Sequence, residues 1–219
     1  MTAETKRAVL FDLDGTLLDS LGDLANSMNT VLSEDGLPTH EVDAFRYFIG
    51  EGVSLLVQRS LPEDKRDPAT AQDYLERYRD AYATRWHLSK PFPGIPELLD
   101  KLQTRGVPLA VVSNKPEVFT KQCIQRLFPD WKWDCILGQS DALPRKPDAA
   151  MALHAAERLG VAPKNCLFVG DSDIDILTGV NAGMSAVGVS WGFRQEAELR
   201  EAGMQHFLQK PADLLELIE

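Results

Sequence analysis

Short runs of consecutive apolar residues alternate along the chain with longer segments in which apolar residues recur every three or four positions. An unbroken run is typical of a strand buried on both faces, and the longer spacing is typical of a helix with one buried face. Repeated alternation of the two patterns predicts an α/β fold with a parallel sheet flanked by helices. The predicted strands are residues 8–11, 108–112, 135–137, 166–169 and 186–189, and the predicted helices are residues 97–105, 117–127 and 148–159.

One stretch of the chain interrupts this alternation. From about residue 17 to residue 86 no segment has a clear strand pattern, and apolar residues recur at helical spacing. We therefore predict a helical domain at residues 17–86, inserted into a core domain formed by residues 1–16 and 87–219. Pro91 and Pro93 mark the return of the chain to the sheet.

Composition and charge restrict the partners that this chain is expected to have. The 219 residues carry a net charge of −10, which disfavours nonspecific binding to nucleic acid or anionic membranes. No apolar run approaches the roughly 20 residues needed to span a bilayer, and residues 1–7 lack the apolar region of a secretory signal. We therefore expect a cytoplasmic protein in which Cys123, Cys135 and Cys166 are reduced, buried thiols.

Polar side chains follow the predicted strands at the points where the strands end. Asp12 and Asp14 come directly after the first strand, and Ser113 follows the second. Lys146 lies in the loop after the third strand, and Asp171 follows the fourth. Because ligands bind beyond the carboxyl ends of the strands in an open parallel sheet, we expect these side chains to converge. The sequence therefore predicts a polar site at one edge of the sheet.

The acidic residues of this predicted site indicate a metal ion. Carboxylates of Asp12, Asp14 and Asp171 would repel one another in a single cleft unless a divalent cation joined them. Oxygen ligands without a nearby His or Cys favour Mg²⁺. Asp175 follows Asp171 by about one helical turn and is expected to support the site from behind. The segment is not a calcium loop, because Ile176 occupies the position of the required glycine.

Each of these residues also has an ordinary structural role open to it. Asp12 and Asp14 could form a turn or cap a helix, and Ser113 could cap the helix that follows it. Lys146 could be a solvated charge, and the neighbouring Arg145 could serve in its place. The position of the acidic pair directly after an apolar strand, with Gly-Thr following, favours the functional interpretation.

Four segments resemble, in order and spacing, the motifs of the haloacid dehalogenase superfamily. The first is Asp-x-Asp-Gly-Thr at residues 12–16, and the second is a Ser or Thr after an apolar strand, here Ser113. The third is a basic residue before a helix, here Lys146, and the fourth is Gly-Asp-Ser-x-x-Asp at residues 170–175. The ordered set is far more specific than any single motif. The resemblance covers nearly the whole chain and implies a Rossmann-like α/β core with an inserted helical cap domain.

The resemblance implies catalytic and substrate-binding roles for the matching residues. Asp12 would be the nucleophile that forms an aspartyl-phosphate, and Asp14 would act first as the acid and then as the base. Ser113 and Lys146 would hold the phosphoryl oxygens, and Asn114 belongs to the same substrate-binding segment. The acid at Asp14 also favours a phosphatase, because the dehalogenases of the superfamily lack it.

The same resemblance implies a Mg²⁺ site. The metal would be bound by the carboxylates of Asp12 and Asp171 and by the backbone carbonyl of Asp14. Asp175 and Ser172 would support these ligands from behind, and a direct contact between Asp175 and the metal stays open.

Part of the predicted cap resembles phosphoglycolate phosphatases. The segment is Phe-Ile-Gly-Glu-Gly-Val-Ser-Leu-Leu at residues 48–56. Gly50 and Gly52 could bring backbone N–H groups close to a small carboxylate, or they could form a plain turn between helices. Arg46 or Lys115 could pair with that carboxylate.

The leading hypothesis is therefore a Mg²⁺-dependent phosphomonoester hydrolase that acts on 2-phosphoglycolate. Another small ester, such as a sugar phosphate, or pyrophosphate would suit the same machinery. A mutase is disfavoured, because the predicted cap offers no convincing acid–base group. A non-catalytic binding protein would be expected to lack Asp12 or Asp14, and both are present. The predicted partner is a small phosphorylated molecule, with neither nucleic acid nor a membrane.

Overall fold

The computed structural model describes residues 7–218, in which strands and helices alternate as follows. The strands are β1 (Ala8–Phe11), β2 (Leu18–Asp19), β3 (Lys90–Pro91), β4 (Leu109–Pro116), β5 (Cys135–Gln139), β6 (Cys166–Gly170), β7 (Ser185–Val189) and β8 (His206–Leu208). The α-helices are α1 (Leu21–Glu34), α2 (Val53–Ser60), α3 (Pro68–Ala83), α4 (Ile95–Thr104), α5 (Glu117–Leu127), α6 (Ala150–Leu159), α7 (Asp173–Asn181) and α8 (Glu196–Glu201). Short 3₁₀ helices span Val42–Tyr47, Glu63–Lys65, Trp86–Leu88, Pro163–Asn165 and Pro211–Leu217.

Six parallel strands form the main sheet in the order β5-β4-β1-β6-β7-β8. The four residues of β1 are all buried between β4 and β6, which explains why this strand is an uninterrupted apolar run. The order of the strands along the chain reverses between β1 and β6, so that a crevice lies beyond their carboxyl ends. The predicted fold class, a Rossmann-like parallel sheet flanked by helices, is confirmed.

Two parts of the strand structure were not predicted. The three-residue strand β8 is too short to show a periodic pattern, and its first residue is exposed. The strands β2 and β3 form an antiparallel ribbon in which Leu18 pairs with Pro91 and Asp19 with Lys90. The ribbon begins inside the stretch in which the sequence gives no strand signal. Such short strands exist because a partner strand lies beside them, and pairing of this kind leaves little trace in a local pattern.

The helices α1, α2 and α3 form a second layer with its own hydrophobic cluster. This layer, with the 3₁₀ helix Val42–Tyr47, is called the helical segment below. Its cluster includes Met28, Val57 and Tyr78, together with Phe193 from the loop after β7. The boundaries predicted for the inserted domain stay a prediction, and residues 1–6 and 219 of the predicted core lie outside the described range.

Two expectations from composition concern the burial of the three thiols and the absence of a membrane-spanning helix. All three thiols are free, and Cys123 and Cys166 are buried. Cys135 is only partly buried, because it begins the edge strand β5, so the expectation of a buried thiol is wrong at this position. None of the helices between residues 7 and 218 combines the length and the apolar character required to cross a bilayer.

Candidate active site

The predicted site residues meet beyond the carboxyl ends of β1, β4 and β6. Asp12 and Asp171 directly follow β1 and β6. Ser113 lies within β4, which continues past the predicted strand end at residue 112, and it comes directly after the last residue in regular register with β5. Lys146 reaches the same place from the loop between β5 and α6. All four side chains are buried. Gly15 turns the chain away immediately after the acidic pair, with a φ of 93° that favours glycine.

Asp12, Asp171 and Asp175 form a buried acidic cluster. One carboxylate oxygen of each residue lies within 4.8 Å of the others. Burial raises the pKa of Asp12 to about 7, with Lys146 opposing this shift and Asp175 adding to it. Burial also raises the pKa of Asp171 well above its usual range, and the charges of Asp175 and Asp12 add to that shift. The negative charge of the cluster and its oxygen ligands fit a divalent cation.

Lys146 is the cationic side chain inside this cluster. Its ammonium donates hydrogen bonds to Asp12 Oδ1 and to Asp175 Oδ1, each at 2.6 Å. The neighbouring Arg145 instead donates to the backbone carbonyl of Glu51 in the helical segment at 2.8 Å. Of the two basic residues in this loop, it is therefore Lys146 that lies beside the candidate nucleophile.

Hydrogen bonds from behind orient the carboxylates of Asp175 and Asp171. Asp175 Oδ2 accepts from the backbone N–H and the hydroxyl of Ser172 at 3.1 and 2.7 Å. Ser172 caps α7 and Asp175 is the third residue of that helix, so the pair forms a capping box. Asp171 accepts from the Thr16 hydroxyl at 3.1 Å and from the Phe193 backbone N–H at 2.8 Å. The capping box gives a structural basis for the supporting role predicted for Asp175 and Ser172.

The side chain of Asp14 is directed away from the acidic cluster. Both of its oxygens accept hydrogen bonds from the Lys115 ammonium, each at 2.8 Å. Lys115 is itself buried, and its ammonium lies 4.8 Å from the centroid of the Tyr82 ring. This arrangement suits a proton-transfer group better than a side-chain metal ligand. The metal contact predicted for Asp14 is through its backbone carbonyl, and it stays a prediction.

The Ser113 side chain keeps a hydrogen-bond donor for a substrate, whereas the Asn114 side chain is hydrogen-bonded within the protein. The Ser113 oxygen accepts from the Lys115 backbone N–H at 3.3 Å, which leaves its hydroxyl proton available. The Asn114 amide donates to the backbone carbonyls of Gly50 and Lys146, each at 3.0 Å. Its carbonyl accepts from the Lys146 backbone N–H at 2.9 Å. The Asn114 side chain therefore joins the Lys146 loop to the helical segment.

One cavity connects the acidic cluster to the helical segment. The predicted substrate-binding residues Gly50 and Gly52 line it, with φ values of 117° and 94°. The cavity has a volume of about 60 Å³. The wall opposite the acidic cluster is formed by Leu24, Ile49, Val53, Leu56, Tyr78 and Tyr82.

The loop after β7 contributes contacts that sequence reasoning missed. Arg194 donates to the backbone carbonyls of Arg46 and Ile49 in the helical segment. Arg46 in turn donates to the backbone carbonyl of Gly192 at 2.8 Å. Because this loop follows a strand of the parallel sheet, the rule that located the other site residues also points to it. The sequence gives no comparable signal for the backbone carbonyls to which Arg194 and Arg46 donate.

The model of the haloacid dehalogenase-like hydrolase family matches residues 9–189. The chain belongs to this family. It is 38% identical over 192 residues to the phosphoglycolate phosphatase of Pseudomonas putida, covering 85% of this chain and 70% of that protein. It is 35% identical over 214 residues to the phosphoglycolate phosphatase of Aquifex aeolicus, covering 97% of both. The crystal structure of a predicted phosphoglycolate phosphatase from Haemophilus somnus is 28% identical and superimposes with a TM-score of 0.88, covering 99% of this chain and 100% of that chain. The family and these relatives make the protein a phosphoric monoester hydrolase.

Proposed function

We propose that this hydrolase converts 2-phosphoglycolate to glycolate and phosphate, with Asp12 as the nucleophile and Mg²⁺ as the cofactor. The observation that carries the proposal is the buried site in which Asp12 lies beside the Lys146 ammonium and within 4.8 Å of two further carboxylates. The names of the relatives at 38% and 35% identity support the choice of substrate. The cavity beside Asp12 is lined by residues of both the acidic cluster and the helical segment.

In the first step, a carboxylate oxygen of Asp12 attacks the phosphorus, and the bond between phosphorus and the glycolate oxygen breaks. Asp14 gives that oxygen a proton, so that glycolate leaves with a hydroxyl group. The Lys146 ammonium, 2.6 Å from Asp12, places positive charge beside the phosphoryl oxygens. The Ser113 hydroxyl donates a hydrogen bond to one of them. The product of this step is an aspartyl-phosphate.

In the second step, Asp14 takes a proton from a water molecule as the water oxygen attacks the phosphorus. The bond between phosphorus and Asp12 breaks, phosphate leaves, and the carboxylate is restored. We assign residues 17–86 as a cap that excludes bulk water during both steps. The apolar wall that this segment presents to the cavity supports the assignment.

Asp12, Asp171 and the backbone carbonyl of Asp14 would hold Mg²⁺, with Asp175 and Ser172 behind them. When bound, Mg²⁺ neutralises the carboxylate and phosphoryl charges that otherwise repel each other. The fit rests on the donor set, in which three carboxylates are buried together and Lys146 donates hydrogen bonds to two of them.

A substrate panel with phosphate detection tests the proposed reaction. It compares 2-phosphoglycolate with glucose 6-phosphate, pyrophosphate and ethyl phosphate. We expect the highest kcat/KM with 2-phosphoglycolate, loss of activity in EDTA and recovery with excess Mg²⁺. Turnover of 2-phosphoglycolate no better than that of the other compounds would remove the substrate assignment. Full activity in EDTA would contradict the metal assignment.

Replacement of the nucleophile tests the mechanism. Asp12→Asn keeps the shape of the side chain, and we expect it to lower kcat by ~10³-fold or more. The matched control is Asp130→Asn, which alters an exposed aspartate outside the acidic cluster and should retain near wild-type activity. Equally negligible turnover by wild type and Asp12→Asn across the whole panel would favour a non-catalytic binding protein.

A further inference from the structure

We propose that Lys115 binds the carboxylate of the substrate while it holds Asp14 in place, so that one ammonium group links substrate choice to proton transfer. The inference rests on the proposed function, and it assigns the group that recognises the acid end of the substrate.

Lys115 occupies the corner of the cavity beside the proton-transfer group. Its ammonium lies 2.8 Å from each oxygen of Asp14, and the residue is 7% exposed. A lysine ammonium has three N–H donors, so two hydrogen bonds to Asp14 leave one donor for a ligand. The nearby ring of Tyr82 stabilises the positive charge without neutralising it.

The structure of the leaving group dictates where its carboxylate lies. In 2-phosphoglycolate, the ester oxygen and the carboxylate carbon are bonded to the same methylene carbon. Proton transfer requires Asp14 to lie about 2.6–3.2 Å from the ester oxygen. Lys115 is 2.8 Å from Asp14. The carboxylate, whose carbon is two bonds from the ester oxygen, therefore falls within reach of the same ammonium.

The other cationic side chains near the cavity are committed elsewhere or exposed. Lys146 lies within the acidic cluster, Arg194 is hydrogen-bonded to backbone carbonyls, and Arg79 is exposed. Arg46, the second candidate from the sequence, donates to Asp43 and to a backbone carbonyl and does not line the cavity. Among residues 7–218, the geometry therefore favours Lys115 as the buried cation with a donor left for a carboxylate.

Lys115→Met tests this role, because it removes the charge with little change in length. Ethyl phosphate has the same two-carbon leaving group as 2-phosphoglycolate but no carboxylate. We expect the ratio of kcat/KM for 2-phosphoglycolate to that for ethyl phosphate to fall by about tenfold or more, as a buried charge-assisted contact is lost. Lys121→Met, in the same region but on the exposed face of α5, is the matched control and should keep the wild-type ratio.

Equal losses on both substrates, with an unchanged ratio, would overturn the inference, because Lys115 would then act through Asp14 alone. A wild-type enzyme that shows no preference for 2-phosphoglycolate over ethyl phosphate would contradict the proposed function itself. If Lys115→Met does not fold, the amide of 2-phosphoglycolate provides the test on the wild-type enzyme. Its kcat/KM should be about tenfold or more below that of the acid, and an equal value would overturn the inference.

Discussion

The reaction and the buried surroundings have opposite effects on the ionisation of Asp12. Asp12 must be ionised to attack phosphorus, yet its burial raises its pKa to about 7. The Lys146 ammonium lowers this pKa, while the Asp175 carboxylate raises it. The ionisation of the nucleophile is therefore set by the charges around it, and a bound divalent cation would favour the charged form.

The raised pKa of Asp12 predicts how stability depends on pH when metal is removed. Well below the ordinary pKa of 3.8, folded and unfolded chains both hold the proton. As the pH rises from there to about 7, the unfolded chain releases the proton and the folded protein keeps it, so the free energy of unfolding falls. Asp12→Asn removes this loss. In EDTA, its Tm relative to wild type should therefore increase between roughly pH 4 and pH 7.

Thermal unfolding monitored by circular dichroism provides the measurement, with the exposed Asp130→Asn as the control. A Tm difference between Asp12→Asn and wild type that does not vary with pH would contradict the prediction. Saturating Mg²⁺ should reduce the difference, because a ligand that binds the folded wild type stabilises it.

At the scale of elements, two loops form a narrow slot for Asp171. A methyl group added at Gly15, after β1, would lie 2.3 Å from an Asp171 carboxylate oxygen. One added at Gly192, after β7, would lie 2.1 Å from the Asp171 Cβ. Glycine at both positions lets the two backbones approach the carboxylate from different strands. The position of this metal-binding candidate is thus set by backbone packing as well as by hydrogen bonds.

Gly192→Ala should displace Asp171 and weaken Mg²⁺ binding. We expect the Mg²⁺ concentration that gives half-maximal activity to rise about 10- to 100-fold, the range found when groups that orient metal ligands are altered. Gly22→Ala, in α1 with no atom within 4 Å of the added methyl group, is the control. It should leave the Mg²⁺ dependence unchanged and raise stability by about 0.5–1 kcal/mol. An unchanged Mg²⁺ dependence in Gly192→Ala would contradict the slot model.

At the scale of the whole molecule, the site is completed where the sheet meets the helical segment. Phe193 belongs to the loop after β7, and its side chain is buried in the hydrophobic cluster of the helical segment. Beside it, Arg194 and Arg46 each donate a hydrogen bond across the interface to a backbone carbonyl. Asn114 adds a further bond to the carbonyl of Gly50. These contacts hold the wall of the cavity over the acidic cluster.

Arg194→Met should loosen this interface and impair substrate binding. The variant leaves backbone carbonyls without donors, so we expect the KM for 2-phosphoglycolate to rise about tenfold, corresponding to 1.4 kcal/mol. Small-angle X-ray scattering should show a larger radius of gyration without substrate. Arg200→Met, which removes an exposed arginine that pairs with Glu196, should change neither quantity. Wild-type KM and scattering in Arg194→Met would show that this arginine does not hold the interface.

The pattern of apolar runs was sufficient to predict which residues converge, because such runs identify buried parallel strands and the carboxyl ends of these strands lie at one edge of the sheet. Asp12, Ser113 and Asp171 were located in this way, and Lys146 from the loop that returns to the same edge. Helical periodicity likewise indicated the helices of the inserted segment. These features depend on short stretches of chain, and a local pattern is enough to show them.

The pairing of side chains within that site depends on the folded arrangement of the chain and could not be predicted from local patterns. Lys115 and Asp14 are 101 positions apart, and Lys146 and Asp12 are 134 apart. The sequence offered Arg46 and Lys115 as candidates for the substrate carboxylate, and no local pattern indicated that Lys115 pairs with Asp14. An ion pair depends on distances of a few ångströms between separate elements, and those distances arise from strand order, helix packing and the close approach of loops.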